Sequence, residues 1–155
     1  MTRICVISDS HGAGFHMRRF AALAKRERFD AIVFCGDGIG DIRWLETELS
    51  RKVDCVAGNC DWRNDVVREL YLSFGGVGFL VVHGHLFGSI RYDLSELSFR
   101  AEEIGAAVAL FGHTHRPTAE YCGPILMVNP GALKDGRYAV LEIEDGKVIP
   151  RLCEL

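Results

Sequence analysis

Five separate apolar runs in this chain each end in a side chain with lone pairs to donate. Ile4–Ser8 leads into Asp9 and His11, Ala31–Gly36 into Asp37, and Cys55–Gly58 into Asn59. Phe79–Val82 leads into His83, and Ala109–Gly112 into His113 and His115. A short β-branched or aromatic run bounded by Gly and polar residues reads as a buried parallel strand. Ligands of open α/β sheets gather at the carboxyl ends of such strands. The pattern therefore restricts both the fold and the place where chemistry happens. One tip bearing Asp or His would mean little, since Asp caps helices and turns and His is common as a structural residue. Five tips bearing only Asp, Asn and His need a common explanation.

The runs predict strands at Arg3–Ser8, Ala31–Gly36 and Val53–Ala57. Between them lie helices over Phe15–Arg28, with Phe20, Leu23 and Ala24 as the apolar stripe, and over Asp41–Ser50, with Ile42, Leu45 and Leu49 on one face. This β-α-β-α-β order is that of parallel strands with crossover helices. The pattern then changes. Val67–Phe74 and Val77–Val82 form a hairpin at Gly75-Gly76. A helix over Leu94–Ile104 has Asp93 as N-cap, Glu96 to complete a capping box and Gly105 as its stop. Strands follow at Ala107–Phe111, Thr118–Cys122, Ile125–Val128, Tyr138–Ile143 and Lys147–Cys153, with Asp145-Gly146 turning the last pair. The expectation is one domain over residues 1–155, with two facing sheets, helices outside and the site on the strand-tip edge.

Composition narrows the function. Net charge is −3 and no run of five Lys or Arg occurs, which counts against a nucleic-acid partner. No apolar stretch approaches the ~20 residues of a membrane helix, and no signal pattern precedes the first strand, so a cytoplasmic location is the default expectation. The six cysteines form no C-x-x-C pair, and they read as free thiols rather than a zinc site.

Asp9 and His11, two residues apart on one loop, can reach one cation. Asp37 can bridge two cations with its two oxygens, and Gly36 beside it permits close backbone approach. Asp9, His11, Asp37 and His115 would fill one site, and Asp37, Asn59, His83 and His113 the other. Mixed N/O donors with few carboxylates suit Mn, Fe, Zn, Ni or Co rather than all-oxygen Ca or Mg sites. Two divalent ions against two carboxylates leave net positive charge, which favours a bridging hydroxide and an incoming phosphate. Such a pair, about 3.5–4 Å apart, clamps an in-line displacement at phosphorus. Asp37, Asn59 and His113 would act in catalysis through the metals. His85 is a further candidate as a second layer or substrate contact. His16, at a helix start near the same edge, is a weaker one.

As motifs, the residues read Asp9-x-His11, Gly36-Asp37, Gly58-Asn59-Cys60-Asp61, His83-Gly84-His85 and Gly112-His113-Thr114-His115, followed by Asn129-Pro130-Gly131. Their order and spacing resemble the calcineurin-like metallophosphoesterase superfamily. The resemblance is to its small bacterial and archaeal phosphodiesterase branch, which also contains the retromer vacuolar-sorting subunit. It implies an α/β fold that is a four-layer α/β/β/α sandwich of two facing mixed sheets, a dinuclear centre of transition-metal ions with manganese first, and hydrolysis of phosphate esters. It also implies the same ligand set. Many relatives carry His then an acid after the Asn, where this chain has Cys60 and Asp61. A thiol protonates an alkoxide poorly, so the general acid is unassigned and aryl leaving groups should depart faster than alkyl ones. Ala132 stands where relatives often have Ser.

With no long insertion between motifs, the metal edge is expected to be open. Arg63, Arg91 and Arg116 are candidate phosphate contacts, and Phe87 or Tyr92 could stack on a ring. Cys60 and Asp61 join Arg116 and His85 as candidate second-layer or substrate contacts. The leading expectation is a phosphodiesterase acting on a small phosphate ester. A phosphomonoesterase or nucleotidase on the same metals, or a non-catalytic scaffold, are the alternatives, and a homo-oligomer is compatible with either exposed face.

Overall fold

Along β1 (Thr2–Ile7) the side chains alternate between two apolar environments, with Ile4 and Val6 facing one and Cys5 and Ile7 the other. That alternation is the period-2 signature of a strand, and here both faces are buried. The computed structural model describes residues 1–62 and 65–155. After β1 come α1 (Gly14–Arg26), β2 (Ala31–Phe34), α2 (Ile39–Leu49), β3 (Asp54–Cys55), β4 (Glu69–Phe74), β5 (Val77–Val82) and α3 (Ser95–Glu103). The chain ends with β6 (Val108–Leu110), β7 (Thr118–Cys122), β8 (Ile125–Asn129), a 3-10 turn at Leu133–Asp135, β9 (Arg137–Glu144) and β10 (Lys147–Glu154).

Among the described residues these strands make two mixed sheets, ordered β10-β9-β1-β2-β3 and β4-β5-β6-β8-β7. β1, β2 and β3 run parallel, as do β5, β6 and β8, while antiparallel strands close the edges. Ile4, Val6 and Val33 of the first sheet, with Val56 just after β3, meet Phe79, Val81, Leu110 and Val128 of the second in the central core. Phe20 of α1 and Ile42 and Leu45 of α2 cover the outer face of the first sheet, and Leu97 and Ala101 of α3 cover that of the second. The four-layer α/β/β/α sandwich expected from the sequence is the fold observed. In it, the carboxyl ends of β1, β2, β3, β5 and β6 share one edge.

Two local expectations are corrected. The run Val53–Ala57 yields only the two-residue β3, because the Ala57 N–H leaves the ladder to donate to the Val67 carbonyl. The capping box at α3 does not form. The Asp93 carboxylate does accept from the Ser95 N–H at 2.9 Å, but the Asp93 N–H donates to the Ser89 carbonyl and is lost to Glu96.

Candidate functional site

The loops that follow three of the five strand tips, those of β1, β2 and β6, are too tight for ordinary backbone. Asp9, His11, Asp37, His113 and His115 all adopt left-handed φ, between 46° and 68°. Non-glycine residues rarely do so, and such strain clusters at functional sites. Close approach matters as well. A Cβ on Gly58 would overlap the Asp37 carboxylate, and one on Gly112 would overlap Ser8 Oγ and Asp9 Oδ2. Glycine at these two positions lets the five loops converge.

The seven residues singled out from the sequence come together at that edge. Asp9 is fully buried. Its Oδ2 accepts from Ser8 Oγ at 2.5 Å and from the His113 N–H at 3.1 Å. Its Oδ1 lies 3.1 Å from His115 Nε2, 3.4 Å from His11 Nε2 and 3.9 Å from His83 Nε2. Asp37 follows the same plan with the oxygens exchanged. Oδ1 accepts from the Cys60 N–H at 2.8 Å, while Oδ2 lies 3.2 Å from His83 Nε2 and 3.6 Å from His11 Nε2. Each carboxylate thus spends one oxygen on the scaffold and turns the other inward. Asp37 therefore presents one inward oxygen, not the two anticipated from the sequence.

His83 is buried, and its Nδ1 donates to the Cys35 carbonyl at 2.7 Å. That bond commits Nδ1 as a donor and turns Nε2 inward, as a backbone carbonyl does for a metal-ligating His. Nε2 meets the side-chain oxygen of Asn59 at 3.0 Å. The rings of His113 and His83 are 5.1 Å apart, and those of His11 and His115 5.3 Å. Two groups able to hold a cation result: Asp9 with His11 and His115, and Asp9 with Asp37 and His83. A third brings the Cys60 thiol near His11 and Asp37.

The electrostatics follow from this crowding. Burial pulls the His83 pKa down, but the Asp37 hydrogen bond and the Asp9 and Asp37 charges outweigh it and raise the pKa above the ordinary value. Burial pushes Asp37 up, but bonds from His83 and Cys60 hold its carboxyl far below the usual range. Burial and the neighbouring His83 lower the pKa of both His85 and His113, helped at His113 by Arg91.

The remaining candidates divide. His85 packs 5.4 Å from His83, ring to ring, and its buried Nδ1 lacks a partner among the described residues. Arg91, Tyr92 and Arg116 line one depression beside the centre. Phe87 instead packs against the core under α3, so it is not the free ring expected. His16 is held away by donating from Nδ1 to the Lys134 carbonyl at 2.8 Å. Asp61 is not free for substrate, because its carboxylate accepts from the N–H groups of Asp37, Gly38, Ile39 and Gly58. Arg63 lies outside the described residues.

Three residues support the site in ways the sequence did not show: Ser8 and Asp41 were not singled out, and Asn129 stood in a motif without a role. Ser8 anchors Asp9. Asp41 accepts from Ser10 Oγ at 2.6 Å and the Gly12 N–H at 2.9 Å, fixing the loop that carries His11. Asn129 donates to the Gly112 carbonyl and to Thr114 Oγ1, both at 3.0 Å, bracing the His113 loop. The signal available for Asp41 was a carboxylate in the first turn of α2.

Comparison with known proteins agrees with this geometry. The chain is 37% identical to the probable metallophosphoesterase YsnB of Bacillus subtilis, over 97% of this chain and 90% of that protein. It is 28% identical to the phosphodiesterase YfcE of Escherichia coli K12, over 96% of this chain and 90% of that one. Among solved structures, a predicted phosphoesterase from Streptococcus pneumoniae superposes with a TM-score of 0.82 at 28% identity, covering 99% of this chain and 89% of its own. Vps29 of Entamoeba histolytica shares the fold, with a TM-score of 0.74 at 19% identity and 99% of each chain covered. A family model for the calcineurin-like phosphoesterase superfamily domain matches residues 2–146. Membership implies divalent metal ions, and the described residues include candidate groups to hold them. The chain belongs to the calcineurin-like phosphoesterase superfamily, whose members act on phosphate esters.

Proposed function

We propose that this chain is a phosphodiesterase with a dinuclear metal centre. One observation carries the reading. His83 Nε2, Asn59 Oδ1, Asp37 Oδ2 and Asp9 Oδ1 crowd together, with His83 Nδ1 already committed to the Cys35 carbonyl. Buried groups crowded in this way need a cation among them, either the proton that His83 Nε2 donates to Asp37 or a metal ion in its place. The unpartnered Nδ1 of His85 beside them adds a second unsatisfied group. The donor set fits divalent transition metals.

Asp9, His11, Asp37 and His115 would hold one ion, and Asp37, Asn59, His83 and His113 the other. Manganese is the first expectation, with Ni, Co, Fe or Zn as substitutes. When bound, the ions supply an activated water nucleophile and neutralise charge developing at phosphorus. The residues do the rest. Asp9 and Asp37 hold the inward oxygens in place through their scaffold bonds to Ser8, His113 and Cys60. His113 and Asn59 turn neutral donors to the same edge, so the centre keeps a net positive charge toward an anionic ester. His85 stands where it can donate to a phosphoryl oxygen. No imidazole occupies position 60, so the departing oxygen must carry its own stabilisation. The phosphodiesterase named among the relatives supports a diester over a monoester.

The test is hydrolysis of bis-p-nitrophenyl phosphate by metal-stripped protein after separate addition of Mn, Ni, Co, Zn and Mg. Wild type is compared with Asp37→Asn and His113→Ala. Turnover that requires metal and is lost in both variants is expected. No turnover with any metal, from folded protein that binds two ions, would overturn the proposal in favour of a non-catalytic scaffold.

A further inference from the structure

Two depressions flank the candidate centre, and they differ in charge. One, about 340 Å³, is lined by His11, Asp37, Asp41, Cys60 and Asp61 and belongs to the centre itself. The other, about 290 Å³, lies between the segment after β5 and the segment that enters β7, and its lining includes Arg91, Tyr92, Thr114, Arg116 and Glu120. Thr114 sits between His113 and His115, and the Arg91 charge acts on His113, so this second depression adjoins the centre.

Both of its walls are built. Thr114 Oγ1 accepts from Asn129 Nδ2 at 3.0 Å and from the Arg116 N–H at 3.2 Å, and Thr118 Oγ1 donates to the Arg116 carbonyl at 3.0 Å. Opposite, successive turn bonds from Ile90 to Phe87 and from Tyr92 and Asp93 to Ser89 set the backbone, and Ile90 is buried beneath. The backbone that presents both arginines is thereby fixed.

Among the described residues, neither arginine of this depression has an ion-pair partner. Arg3, Arg100, Arg137 and Arg151 each pair with a carboxylate, and Arg51 donates to two carbonyls. The guanidinium groups of Arg91 and Arg116 make neither kind of contact among the described residues. Tyr92, 91% exposed, offers a free ring face on the same wall. Glu120 is the single acid of the lining, against the two arginines. Paired arginine forks suit a phosphate, and an exposed aromatic ring suits a stacked base.

We infer that the depression lined by Arg91, Tyr92 and Arg116 is the specificity pocket for the substrate arm beyond the scissile phosphate. It takes an arm with an aromatic ring and a second phosphate, the chemistry of a nucleoside bisphosphate unit. This rests on the phosphodiesterase reading for its scissile bond, but the pocket's lining includes none of the proposed metal ligands, so it can be tested with and without metal.

The first readout is calorimetric titration of metal-stripped protein with thymidine 3′,5′-bisphosphate. Saturable binding is expected, weakened about tenfold by Arg91→Gln or Arg116→Gln, the size of one lost charge-assisted contact. Tyr92→Ala weakens it and Tyr92→Phe restores it. The second readout is the ratio of kcat/KM for 5′-(p-nitrophenyl phosphoryl)thymidine 3′-phosphate to that for bis-p-nitrophenyl phosphate. The ratio favours the nucleotide in wild type and falls about tenfold in each arginine variant. Arginine-dependent binding without turnover of any ester would uphold the pocket and sink the hydrolytic reading. Turnover of both esters at a ratio the variants leave unmoved, with no saturable binding, would overturn the pocket alone.

Discussion

Asp61 offers the sharpest test of how the centre is supported. Its Oδ2 accepts from the N–H groups of Asp37 and Gly58, both at 2.8 Å, and its Oδ1 from Gly38 at 3.0 Å and Ile39 at 3.1 Å. One carboxylate thus ties the β2 loop to the β3 loop and caps α2 from outside the helix. Both oxygens are acceptors and each is used twice. Asp61→Ala removes four charge-assisted bonds at a half-buried position where water re-solvates part of the loss. At about 1 kcal/mol net for each, the cost is roughly 3–4 kcal/mol. For a chain of this size that corresponds to a fall in Tm of about 10 °C. Asp61→Asn is the decisive variant. However its amide turns, an NH2 faces two backbone N–H donors, so the isosteric change costs at least about 2 kcal/mol. Urea unfolding of the metal-stripped proteins measures both. Metal affinity should also fall about 10–100-fold, since the loops bearing Asp37 and Asn59 lose their brace. An Asn variant as stable as wild type would refute the argument.

The pH dependence of the metal-stripped protein is fixed in sign by two buried groups. His83 has a raised pKa, so its contribution is complete below its unfolded value of about 6.5 and is lost as pH rises through the folded value. Asp37 has a lowered pKa, so its contribution is complete above about 3.9 and is lost as pH falls toward the folded value. Unfolding midpoints should therefore drop on both sides of a mildly acidic maximum, and His83→Gln should remove the alkaline limb and shallow the acid one, since His83 also helps to lower the Asp37 pKa. Leaving-group dependence forms the other check. Without imidazole at position 60, nitrophenyl diesters should be cleaved faster than alkyl diesters, and equal rates would remove the basis for that expectation.

Much of this fold was legible because its strands are short, apolar and punctuated. Val77–Val82 and Thr118–Cys122 have the bounds read from the pattern, and parallel pairing within each sheet aligned the tips that the two facing sheets bring to one edge. What escaped was determined by backbone geometry. No periodicity announces that Asp37 spends Oδ1 on the Cys60 N–H, or that Asp61 is consumed by four amides. Phe87 read as an available ring because its burial under the α3 core depends on a turn after His83 that carries no strong signal. The capping box at α3 failed for a similar reason, since the Asp93 N–H already served the preceding turn.

The left-handed backbone at Asp9, His11, Asp37, His113 and His115 has a consequence for cooperativity. Each such residue costs about 1–2 kcal/mol relative to ordinary backbone. Five together approach the entire net stability of a typical domain, about 5–15 kcal/mol. The loops hold their shape only while both sheets press them together, so any loosening of the sandwich is relieved first at this edge. Fraying there would disperse the donors before the core opens, and amide exchange at the strand tips would report it ahead of global unfolding. A bound cation, by joining residues of both sheets, would close that route.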